Sequence, residues 1–144
     1  AVKVVASLGV HHLHEGYSVT LEGSAERLAG PLRGGTSRLM LLDELARVDM
    51  VRAPLPDALL RLVSDPRRDT HVIVVTPWLD PDAIARLQLL MDRGIYVMVV
   101  AVLGDELAAE MLAKAAAMGA QVIEIRPGTP LAVAFRREVG AGKR

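Results

Sequence analysis

The sequence predicts an α/β domain with a mostly parallel, doubly wound sheet and helices on both faces. Two stretches carry that expectation. His71–Thr76 (HVIVVT) and Ile95–Val102 are continuous apolar runs dominated by β-branched residues, the composition of strands buried on both faces. Between and after them, helical periodicity alternates with strand-like runs through short loops, and a glycine follows three of the helical segments, at Gly16, Gly94 and Gly119. Alternation of that kind, with right-handed crossovers, builds a parallel sheet.

Taken in order, the chain opens with a helix over Val2–Glu15. Val2, Val5, Ala6, Gly9 and Leu13 share one side of it, and Lys3, Ser7 and His14 the other. Gly16 stops this helix, and Tyr17–Leu21 alternates as a strand. Glu22–Gly35 is polar and irregular, with room for a short edge strand. A second helix spans Ser37–Val48 with Leu41, Leu42, Leu45 and Val48 on its apolar side. Pro54 and Pro56 interrupt, and Pro56 sits in the first turn of a short helix ending near Ser64. Asp65–Thr70 is a charged connector to the His71–Thr76 strand. Asp80 then caps a helix with Pro81 behind it, whose stripe is Ile84, Leu87, Leu90 and Met91. The strand Ile95–Val102, a helix over Asp105–Met118 and a last strand Gln121–Ile125 follow. Thr129 and Pro130 begin a closing helix that carries Val133 and Phe135.

Composition narrows the possible functions. The 144 residues, 51% hydrophobic, match one domain with a real core, and residues 1–144 are expected to form a single α/β domain cut from a longer protein. The longest apolar run, Ile95–Leu103, falls well short of the about 20 residues that cross a bilayer, so no membrane insertion is expected of this segment. Seventeen basic residues balance seventeen acidic ones, which argues against a nucleic-acid footprint. Only Tyr17, Trp78, Tyr96 and Phe135 are aromatic, too few for a base-stacking platform. The absence of cysteine removes disulfides, thiol catalysis and thiolate metal sites, and fits a reducing, cytoplasmic location. No signal peptide is legible in Ala1–Leu13.

Four clusters invite a functional reading. Gly30-Pro-Leu-Arg-Gly-Gly-Thr36-Ser37 imitates a phosphate loop, with Gly34, Gly35 and Thr36 as its binding residues. Thr36, however, stands where the lysine should, and no buried strand leads in. A glycine-bearing loop running into a capped helix explains it better. His11, His12, His14 and Glu15 have metal-ligand chemistry, but the three histidines diverge around the helix by steps of about 100° and about 200°. Only His11 and Glu15 share a face, so a polar helix surface is the stronger reading and no metal is expected. Asp80 and Asp82 lie where ligands bind in open α/β sheets, beyond the carboxyl end of a strand. The plainer account is that acidic residues favour the positive end of a helix. Trp78, in the same loop, is either a contact residue or a lid over the sheet edge. Arg136, Arg137, Lys143 and Arg144 read as a solvated basic tail. No nucleophile stands beside a base and no acid pair is evident, so no catalytic residue and no cofactor are expected.

The order of pieces resembles a von Willebrand factor A-like domain that lacks its first strand. More narrowly it is similar to the bacterial proteins of domain-of-unknown-function family fifty-eight. Ala1-Val-Lys-Val-Val-Ala-Ser-Leu-Gly-Val10 with His14-Glu-Gly-Tyr-Ser-Val-Thr-Leu21 matches that family's helix, glycine and strand. Leu41-Leu-Asp-Glu-Leu-Ala-Arg47 resembles its next helix, and His71-Val-Ile-Val-Val-Thr-Pro77 its strand ending in Thr-Pro. Gly94-Ile-Tyr-Val-Met-Val-Val100 and Gly119-Ala-Gln-Val-Ile123 fit the later glycine-then-strand pieces. The resemblance implies a Rossmann-like sheet and a non-catalytic interaction module. It also implies a MoxR-type AAA ATPase as partner, and the cytoplasmic part of a membrane-anchored bacterial protein. The family's cation motif is incomplete here. Thr36 is the one position that carries over, and Pro77 occupies the place of the aspartate, so the resemblance implies no metal. If a central strand is missing, open strand edges make self-association a further expectation.

Overall fold

In the computed structural model, residues 2–23, 27–34, 37–47, 55–64, 71–77, 79–102, 109–126, 128, 130 and 133 are described. The chain divides into two units, Ala1–Ala58 and Leu59–Arg144.

The first unit begins with α1 (Val2–His14), which packs on α2 (Ser37–Ala46). Between them in sequence lie β1 (Val19–Glu22) and β2 (Arg27–Leu32), paired antiparallel with Val19 opposite Leu32 and Glu22 opposite Arg27. The ladder is irregular on either side of Leu21. Leu13, Leu21, Leu32, Leu41 and Leu45 form the core, with Val5, Ala6, Val10, Val19 and Leu28 half-buried around it. Of the expected α1 stripe, Leu13, Val5 and Ala6 belong to this core and Gly9 is buried, while the side chain of Val2 lies outside the described residues.

The end of α1 shows why β1 starts later than the periodicity predicts. Gly16 adopts a positive φ of 89°, its N–H bonds to the Leu13 carbonyl (3.1 Å), and the Tyr17 N–H reaches back to the His12 carbonyl (2.9 Å). These two bonds close a helix in the Schellman manner. Tyr17 belongs to the helix closure, and the strand begins only at Val19. The same pair of bonds ends two helices of the second unit, through Gly94 and Gly119. In each case the residue after the glycine meets one five positions back: Ile95 and Leu90 are buried, as are Ala120 and Ala115. Accordingly β4 begins at Tyr96, one residue after the expected Ile95.

The link between the two units in sequence is α3 (Leu55–Ser64), within which the division falls. Pro56 sits in its first turn, as expected. The second unit is built on β3 (His71–Thr76), β4 (Tyr96–Val102) and β5 (Gln121–Ile125), all parallel, in the order β3-β4-β5. His71 pairs with Tyr96 and Thr76 with Ala101; Met98 pairs with Gln121 and Val102 with Ile125. Two helices, α4 (Pro81–Asp92) and α5 (Ala109–Ala117), connect these strands, touch each other and pack on β4 and β5 respectively. Val97, Val99, Val100 and Ala101 of the middle strand are buried, as are Ala83, Leu87 and Leu90 of α4.

The structure is α/β with a parallel sheet, but its strands do not join into the predicted single sheet. The strands form a three-stranded parallel sheet and a separate antiparallel hairpin. Among the described strands the parallel order runs in one direction without reversal, so right-handed crossovers carry α4 and α5 over the same face. The edge strand allowed for within Glu22–Gly35 is β2. It pairs antiparallel with β1, because the stretch 23–26 between the strands is far shorter than the crossover of about a dozen residues or more that parallel neighbours need. Residues 103–108, Val48, and the closing helix apart from Pro130 and the helical Val133 lie outside the described residues.

The contact between α1 and α2 is tight enough to reverse an ordinary substitution effect. A Cβ built on Gly9 would lie 2.6 Å from Cδ2 of Leu41, which is fully enclosed. Gly→Ala inside a helix normally stabilises by about 1 kcal/mol, whereas overpacking a closed core costs about 1–3 kcal/mol. Gly9→Ala should therefore lower stability in urea denaturation. Leu41→Ala, itself costing about 2–5 kcal/mol, removes the obstructing methyl groups, and in that background Gly9→Ala should become stabilising.

Candidate functional site

The carboxyl end of β3 leads into α4 through a loop whose polar group is already engaged. Thr76 ends the strand buried, Pro77 is exposed and Leu79 is buried again. Asp80 takes an extended conformation (φ −110°, ψ 170°), and its Oδ1 accepts the backbone N–H of Ala83 at 2.7 Å. The Asp80 carbonyl accepts the Ile84 N–H at 3.1 Å, and Pro81 follows at the first helical position. The local sequence dictates this: an aspartate before a proline satisfies an orphan helix donor, and the proline has none to lose. Leu79 and Ile84 occupy the two positions of a hydrophobic staple, a signal legible in the sequence. Asp82, in the first turn of α4, is exposed and favourably placed against the helix dipole.

In the first unit, Gly34 is described with φ 79°, and open space surrounds the position of a Cβ there. Its carbonyl accepts the Ser37 N–H at 3.1 Å. The Ser37 hydroxyl is buried and donates to the Arg33 carbonyl at 2.6 Å. A phosphate loop needs that hydroxyl for a cation; here it closes the turn instead. Of the residues singled out from sequence, Asp80 belongs to one unit and Gly34 to the other. Gly35, Thr36 and Trp78 lie outside the described residues.

The histidines also have local partners. Nδ1 of His12 lies 2.7 Å from the Leu8 carbonyl, so this nitrogen carries the proton and donates. The His12 ring meets His11 edge-on at 5.6 Å between centroids and Tyr17 at 5.8 Å. His11, His14 and Glu15 are exposed. Among the described residues no three histidine or carboxylate side chains are grouped as metal ligands.

Three further groupings have little sequence signal. At the amino end of the parallel sheet, the rings of His71 and Tyr96 are 5.2 Å apart and the Tyr96 hydroxyl donates to Oε1 of Gln121. The register brings them together, and register is not written in any one strand. Arg93, just past α4, donates from its guanidinium to the Val63 carbonyl at the end of α3, where a cation suits the helix dipole. On α2, Leu39 is 74% exposed and Met40 58%, opposite the buried Leu41 and Leu45. An exposed ion pair between Asp43 and Arg47 (3.0 Å) lies along the same helix.

No protein-family model, curated protein or solved structure matches the chain. No helix among the described residues is long and apolar enough to cross a membrane.

The capping role of Asp80 has a measurable consequence. Asp80→Ala should cost about 1 kcal/mol in chemical denaturation, and Asp80→Asn or Asp80→Ser should retain most of that stability.

Proposed function

We propose that the chain is a non-catalytic protein-interaction domain of von Willebrand A-like type, docking a MoxR-type AAA ATPase. The loops at the carboxyl edge of the parallel sheet would form the contact surface, with Trp78 as the anchor. One observation carries this reading. Two candidate polar groups among the described residues, the Asp80 carboxylate and the Ser37 hydroxyl, are bound to backbone, while Leu39 and Met40 on α2 face outward. Committed polar groups with exposed apolar residues suit recognition better than turnover. The order of pieces supports the A-like assignment: a helix, a strand pair, helices, then three parallel strands joined by helices. In this reading the domain is the cytoplasmic part of a membrane-anchored bacterial protein.

Capture assays against a MoxR-type ATPase test the proposal. Trp78→Ala should weaken capture while the melting temperature stays nearly unchanged, and undiminished capture would count against the reading. The competing use of Gly34, Gly35 and Thr36 as a nucleotide site is separable by thermal shift. A ligand specific to the fold raises its apparent stability; nucleotides with magnesium should produce no shift here.

A further inference from the structure

We draw no further inference here: the strongest candidate, the outward-facing apolar patch of Leu39 and Met40 on α2, carries none because nothing in the structure shows what covers it.

Discussion

The middle strand of the parallel sheet, β4, is hydrogen-bonded along both sides and enclosed on both faces, and this double pairing constrains the rest of the second unit. Parallel neighbours cannot be joined by a tight turn, so each must return through a helix that begins and ends at a defined place. The starts are set by capping, as at Asp80 and Pro81. The ends are set by the paired bonds around Gly94 and Gly119, which turn the chain back within two residues. Ile95 and Ala120, immediately after those glycines, are buried, so each helix end is also a contact with the core.

The sequence displays this machinery because it is local. A glycine after an apolar stripe, an aspartate before a proline and an uninterrupted β-branched run each have one inexpensive conformation. The division of strands between two sheets is another matter. β1 and β3 have no local mark saying which partner they take, and the choice depends on segments far apart in the chain. What marks there are concern the hairpin, where Pro31 and the irregular ladder keep β2 out of any regular interior position.

The candidate site was legible to the same degree. Asp80 announces itself as a cap, and the structure gives it that task. The three histidines advertise metal chemistry by type, but their side chains answer to neighbours. His12 is tied to the Leu8 carbonyl and its ring lies tilted beside that of Tyr17, in the position where the other two closures place aliphatic residues. Ser37 shows the same limit: a serine opening a helix is visible in sequence, whereas its bond to the Arg33 carbonyl depends on the turn. Nothing in the sequence marks Leu39 and Met40 as outward-facing, because the periodicity of α2 is weak, with apolar residues on both its inner and outer sides.

The Tyr17 ring at the end of α1 has an optical consequence. It is the one aromatic residue of Phe, Tyr or Trp type in the first unit; Trp78, Tyr96 and Phe135 all fall in the second. Intrinsic fluorescence excited at the red edge, where only indole absorbs, therefore reports the second unit alone. Loosening of the hairpin and its helices would pass unseen by that signal, while a far-ultraviolet dichroism trace, sensitive to α1 and α2, would register it. Divergence of the two traces on heating would resolve the units spectroscopically, without any introduced label.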